Sequence, residues 1–229
     1  EPVAGLHEAL YAGQGGMLDV AVDPDYQDNG WIYLAYSHAL GEGDNRPAMT
    51  RVVRGHIRNN AWTDQQVLFE APHDTYRTSR HHYGSRIVFD AEGRLYFSIG
   101  DRGAQSQAQD LSRPNGKVHR IHRDGSIPSD NPFVGRDDAL PSIFSYGHRN
   151  PQGLAIHPET DALWGVEHGP RGGDELNRIV AGRNYGWPVI TYGINYDGTI
   201  ITEERAREGM EQPVLYWRPS IAVSGLDVY

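Results

Sequence analysis

Three stretches of the chain repeat one pattern of apolar and polar positions. Each opens on small residues, runs through a strand with alternating apolar side chains, turns on polar residues, and returns along a second strand rich in aromatics. They are GGMLDVAVDPDYQDNGWIYLAYS from Gly15, YGSRIVFDAEGRLYFSIGD from Tyr83 and PQGLAIHPETDALWGVEHG from Pro151. The alternating pairs are Val20/Val22, Ile87/Phe89 and Leu154/Ile156, the period of two that sends successive side chains to opposite faces of a sheet. Asp23, Asp90 and His157 stand at the turns at equal intervals of 67 residues. Further strands are predicted for RVVRGHIRN at 51–59 and GKVHRIHRDG at 116–125. Helical periodicity is nearly absent, and TEERAREGM at 202–210 is the one short candidate.

Repeated hairpins with intervening strands predict an all-β fold, a β-propeller of four-stranded antiparallel blades packed around an axis. SGLDVY at 224–229 reads as the opening of a fourth copy. Propellers of roughly four to eight blades close on themselves to protect their edges, whereas 229 residues hold fewer than four such units. The expectation is one partial propeller domain over residues 1–229, roughly the central blades, with N-terminal and C-terminal blades missing.

Composition removes whole classes of function. Lys and Arg number 21 against 30 Asp and Glu, a formal net charge of -9, which argues against a nucleic-acid partner because such proteins need a cationic surface. No stretch approaches the ~20 apolar residues of a membrane span, and no signal peptide is visible. With no cysteine, disulfides and thiolate chemistry are excluded. Phosphate-binding loops, nucleophile elbows, dinucleotide fingerprints and His-Glu-x-x-His zinc helices are all absent.

Loops on one face of a propeller converge, so residues just before the inner strands become neighbours. GQGG at 13–16, RHHYGS at 80–85, GHRNPQG at 147–153 and VEHGPRGGDE at 166–175 are expected to bring Gln14, His82, Arg149, Asn150 and His168 to one pocket. His82 reads as a general base, because imidazole titrates near neutrality, or as a hydrogen-bonding surface histidine. His81 cannot share its role if the backbone there is extended. Arg149 offers a planar fork for a carboxylate or oxyanion, or else a structural salt bridge. The HGPRGGDE run, with its bare carbonyls followed by Asp174 and Glu175, reads as a calcium loop or as a glycine-rich turn with solvated acids.

At these residues the sequence resembles the soluble pyrroloquinoline-quinone (PQQ)-dependent sugar dehydrogenases, the glucose/sorbosone dehydrogenase family, and especially their bacterial aldose sugar dehydrogenase branch. The likeness rests on GQGGMLDVAVDPDY, HHYGSRIVF, LYFSIGDRG, NGKVHRI, DGSIPSDNPF, YGHRNPQGLAIHP, HGPRGGDELN and NYGWPVITYGINY, which follow one another along nearly the whole chain. The resemblance implies a six-bladed propeller with the quinone over its axis. It implies that His82 takes the proton of the anomeric hydroxyl while hydride passes to the quinone and a lactone forms. Arg149 and Asn150 would contact the quinone, Gln14 would orient sugar or quinone, and Tyr196 matches a further cofactor contact. Carbonyls of Gly169 and Pro170 would hold the catalytic calcium, and Glu175 with the Tyr185 carbonyl a second, structural one. Trp217 or Arg218 would line the sugar pocket. His168 stands where glucose-specific members carry an amide, so sugar specificity is not carried over. The implied partners are an aldose and an external electron acceptor, and the implied location is periplasmic or secreted. Two other readings fit the same loops: a calcium-dependent propeller lactonase in which His82 activates water, and a noncatalytic carbohydrate-binding propeller.

Overall fold

Each copy of the repeat begins one sheet. In the computed structural model, which describes residues 2–6 and 8–228, β1 (Met17–Val22), β2 (Ile32–Ala39), β3 (Ala48–Arg58) and β4 (Ala61–Phe69) form the first sheet in sequence order. The second is β5 (Ile87–Phe89), β6 (Leu95–Ile99), β7 (Lys117–Ile121) and β8 (Ile143–Tyr146). The third is β9 (Pro151–Ile156), β10 (Leu163–Glu167), β11 (Asp174–Ile179) and β12 (Leu215–Trp217). Every neighbouring pair is antiparallel. β1 packs beside β5 and β5 beside β9, so the first strand of each sheet faces a shared interior. These are three consecutive blades of a propeller that does not close on itself among the described residues.

The 67-residue interval has a local cause. The side chains of Asp23, Asp90 and His157 each accept the backbone N–H two residues on, at 2.9, 3.1 and 3.3 Å. This is the side-chain-to-backbone turn that Asp and similar residues favour. In the first two blades the carboxylate also accepts a tyrosine hydroxyl from the returning strand, Tyr33 at 2.7 Å and Tyr96 at 3.1 Å. The turn residue thereby ties both strands of its hairpin.

Packing between blades follows the alternation. Tyr33, Ala35, Met49 and Val52 of the first sheet meet Ile87, Leu95, Phe97 and Ile121 of the second. From the other face of the second sheet Tyr96, Val118 and Phe144 meet Leu154, Leu163 and Ile179 of the third. Both faces of β6 are therefore covered, which is why LYFSI is buried throughout. Burying a side chain such as Phe97 contributes about 1.5–3 kcal/mol.

One expectation is corrected. Residues 202–210 form turns and no helix; they lie on the surface, where no packed face supports so short a segment. Residues 221–228 carry no strand among the described residues, and Tyr229 lies outside them. At the start of that segment, Asp174 Oδ2 accepts the N–H groups of Ile221 and Ala222 at 2.9 and 2.7 Å. Among the described residues no helix is long and apolar enough to cross a membrane.

Candidate active site

Antiparallel order brings the openings of β1, β5 and β9 to the same end as the β6–β7 and β10–β11 connections. There His82 sits before β5 with a left-handed backbone, φ 55°, so the extended geometry that would have set it apart from His81 is not the reason for their difference. The backbone N–H of His82 donates to Gln14 Oε1 at 2.7 Å, and its Nδ1 lies 2.6 Å from Asp101 Oδ1. His81 is exposed.

Asp101, just past β6, has a side chain that is 1% exposed. Its carboxylate also accepts Gly103 N–H at 2.8 Å and the indole N–H of Trp187 at 2.8 Å. Burial opposes its charge, yet bonds from His82, Gly103 and Trp187, with the attraction of the imidazole, hold its carboxyl below the usual carboxylate range. An ionised carboxylate only accepts, so Nδ1 is the donor nitrogen of His82, and in the neutral ring the lone pair then lies on Nε2. Gly100 makes this approach possible: a Cβ there would lie 2.5 Å from the His82 carbonyl oxygen and 2.6 Å from Asn150 Oδ1.

Arg149 is joined to the same centre, because its carbonyl accepts Asp101 N–H at 2.7 Å. Its guanidinium donates to the carbonyls of His168 at 3.1 Å and Gly169 at 2.6 Å and lies 5.4 Å from the Trp187 ring. These bonds are to carbonyls, and among the described residues no carboxylate pairs with the guanidinium and its buried Nε has no hydrogen-bond partner. A salt bridge therefore does not account for Arg149. Asn150 Oδ1 accepts from Gly84 N–H at 3.2 Å and Gln152 Nε2 at 3.1 Å. Gln14, Asn150 and His168, with Arg86 and Gln152, line a cavity of about 260 Å³.

The remaining expected residues form two further groups. Tyr196, 73% exposed, lines a cleft of about 270 Å³ with His168, Gly169, Pro170 and Ala222; His168 borders both spaces. The Pro170 carbonyl accepts Ser220 Oγ–H at 3.2 Å. Glu175 and Tyr185 line a void of about 10 Å³ together with Arg149, Glu167, Gly169 and Pro170, room for one water-sized particle. Burial and the nearby Glu167 charge push the Glu175 carboxyl up to about 8. Asp174 is no solvated acid: buried, it accepts Gly169 N–H at 3.0 Å besides the two bonds from residues 221 and 222. Trp217 and Arg218 lie in and just past β12, the edge strand of the third sheet. Neither borders the Gln14–Asn150 cavity.

Three participants escaped the sequence reading. Asp101 is one, and Glu167 is another: its carboxylate accepts Arg149 N–H at 2.7 Å and pairs with His148 Nδ1 at 2.9 Å, fixing the 148–150 turn. Both acids end a buried strand run, LYFSIGD and LWGVE, and that placement was a usable signal. Trp187 carried none, since only the tertiary fold brings it to Asp101.

The sequence matches the glucose/sorbosone dehydrogenase family over residues 1–229. It is 43% identical over 232 residues to the aldose sugar dehydrogenase YliI of Escherichia coli, covering 100% of this chain and 61% of that protein. Against quinoprotein glucose dehydrogenase B of Acinetobacter calcoaceticus the identity is 34% over 201 residues, 78% of this chain and 41% of the relative. The apo-form crystal structure of the E. coli soluble aldose sugar dehydrogenase superposes with a TM-score of 0.92 at 41% identity, covering 98% of this chain and 65% of that one. The PQQ-bound aldose sugar dehydrogenase of Streptomyces coelicolor gives 0.79 at 27% identity, covering 99% and 61%. The chain thus spans less than two thirds of these relatives, and it belongs to the glucose/sorbosone dehydrogenase family.

Proposed function

We propose that the protein is a quinoprotein oxidoreductase that oxidises aldose sugars at the anomeric carbon to lactones, with His82 as the general base. The observation that carries this reading is the His82–Asp101 pair beside Arg149, a buried guanidinium that pairs with no carboxylate among the described residues. A neutral imidazole with its proton fixed on Nδ1 accepts the proton of the sugar C1 hydroxyl at Nε2. Ionised Asp101 stabilises the imidazolium that results, while Gln14 holds the backbone of the base in place.

The residues present fit the group that such a reaction needs. The uncompensated charge of Arg149 and its unpartnered Nε, with the amides of Gln14 and Asn150 and the edge of Tyr196, suit a planar polycarboxylate. Among the described residues no three imidazole or carboxylate groups converge, so a calcium ion would depend on carbonyls. Those of Gly169 and Pro170 each accept one bond in the structure and retain a lone pair. Glu175, with Glu167 and the backbone at Tyr185, suits a second calcium in the small void. When bound, PQQ supplies the two-electron acceptor and calcium a Lewis acid. Arg149 then stabilises negative charge developing beside it, a preorganised electrostatic role. An aldose substrate, an external electron acceptor and a periplasmic or secreted location belong to the same proposal.

An absorbance titration tests it: PQQ with calcium is added to the protein, followed by an aldose. The expected result is a reduced-cofactor spectrum and sugar-dependent dye reduction, both abolished in a folded His82→Ala variant. Acid release from lactones without quinone, or sugar binding without any reduction, would overturn it.

A further inference from the structure

Arg102 follows Asp101 in the β6–β7 connection and is wholly buried, at 0% exposure. Its guanidinium donates to carbonyls that come from two places in the chain. Nη1 bonds the His81 carbonyl, and Nη2 bonds those of Ser79 at 2.7 Å and Ala48 at 3.3 Å. Its face rests 3.4 Å from the centre of the Tyr83 ring. Residues 79, 81 and 83 alternate along one segment, so a single planar fork grips both sides of His82 without touching it. Burial draws the guanidinium down to about 10, which leaves it charged at neutral pH.

His82 needs such a grip. At φ 55° it occupies the left-handed region that non-glycine residues rarely adopt, and Arg102 itself stands at φ 54°. A residue in that region persists only where its surroundings over-determine it. Gln14 fixes the His82 N–H, Asp101 fixes the ring, and the peptide before His82 has Arg102 as its partner. Lysine would keep the charge as one point and lose the fork that spans alternate carbonyls.

We infer that Arg102 is the positioning residue of the base: with Asp101 it forms a two-residue clamp in which Asp101 orients the His82 imidazole and Arg102 holds the His82 backbone in its left-handed turn. This rests on the reading of His82 as base, and the test separates the two.

Arg102→Lys and Arg102→Gln are compared with the unaltered protein by proton NMR, following the downfield Nδ1–H resonance of His82, assigned by its loss in His82→Gln. The expected result is that both variants, folded by near-UV circular dichroism, lose or broaden that resonance. Their kcat for sugar-dependent dye reduction with PQQ and calcium should fall about 100-fold, with sugar KM changed less than about threefold and Lys rescuing no more than a tenth of the activity. An unchanged resonance in either folded variant would overturn the inference. Should both variants fail to fold, the unaltered protein decides by hydrogen exchange on warming. Loss of Arg102 guanidinium protection together with the His82 Nδ1–H supports the clamp, and survival of the His82 proton after Arg102 has opened overturns it. The resonance needs neither quinone nor sugar. Its loss in both variants of a protein that never oxidises sugar would therefore support the clamp and overturn only the dehydrogenase reading.

Discussion

The indole N–H of Trp187 donates to Asp101 Oδ2 at 2.8 Å, across 86 positions of sequence. Asp101 Oδ1 holds His82, and the other side of the relationship is Arg149, whose guanidinium lies near the same indole ring. One aromatic side chain thus touches both the partner of the base and the free cation. It is held there by its carbonyl, which accepts Gln109 Nε2 at 2.7 Å, and its N–H, which donates to the Gly147 carbonyl at 2.8 Å.

Replacing Trp187 by Phe keeps an aromatic ring at that position and removes the indole N–H together with the volume of the second ring. A buried carboxylate oxygen then loses a donor, which costs about 1–3 kcal/mol. Urea unfolding should show a loss of at least that size, because the emptied volume adds to it, and kcat for sugar-dependent dye reduction should fall about tenfold, the equivalent of about 1.4 kcal/mol. Unaltered stability and turnover in Trp187→Phe would show that the indole bond is idle.

Asp101→Asn retains shape while replacing one carboxylate oxygen by a donor. The imidazole then loses its charged partner and the reason for holding its proton on Nδ1. General-base catalysis contributes about 10²–10⁴-fold, so kcat should drop within that range while the fold, read by circular dichroism, stays intact. Turnover within threefold of the parent protein would remove Asp101 from the reaction.

The blades were legible because their cause is local. Alternating apolar positions and the acceptors Asp23, Asp90 and His157 act within a hairpin, and the structure repeats them at the same interval. Of the residues expected in one pocket, Gln14, Asn150 and His168 share a cavity because propeller topology gathers the same loop of each blade. His82 and Arg149 are not in its lining and join the group through Gln14 and Asp101. Their supports were harder to see. Asp101 and Arg102 matter through a turn whose left-handed backbone no alternation pattern foretells, and Trp187 arrives from beyond the third inner hairpin.

The Asp174 carboxylate is the basis of a further expectation. Asp174 accepts three backbone N–H groups, one from the Gly169 turn and two from residues 221 and 222, so it fastens the tail across the loop that carries His168. In Asp174→Ala the buried Gly169 donor is orphaned and the N–H groups of residues 221 and 222 are released to water, a destabilisation of about 1–3 kcal/mol. Limited proteolysis should then cut between Pro219 and Val223 where the parent chain resists. Equal resistance of the two proteins would show that the tail is held by other contacts.

Acid should weaken the second blade through His119. This residue is fully enclosed, its ring stacked on Phe97 at 4.9 Å, with Nε2 2.8 Å from the Pro114 carbonyl and Nδ1 3.0 Å from Ser142 Oγ. The carbonyl requires the proton on Nε2, so Nδ1 accepts the serine hydroxyl and the ring is neutral. Burial pushes it down to about 3, the Pro114 bond opposing and the Lys117 charge assisting. In the unfolded chain a histidine takes up its proton near 6.5. Between those values the unfolded state binds one proton more than the native state, so stability falls as pH falls, by up to about 1.4 kcal/mol per pH unit. His119→Gln lacks the titrating group and keeps a donor for the Pro114 carbonyl. Urea unfolding at pH 7 and pH 5 should find the parent losing about 2 kcal/mol more than this variant over that interval, and parallel pH dependences would mean that the His119 ring takes up its proton in the native state as readily as in the unfolded chain.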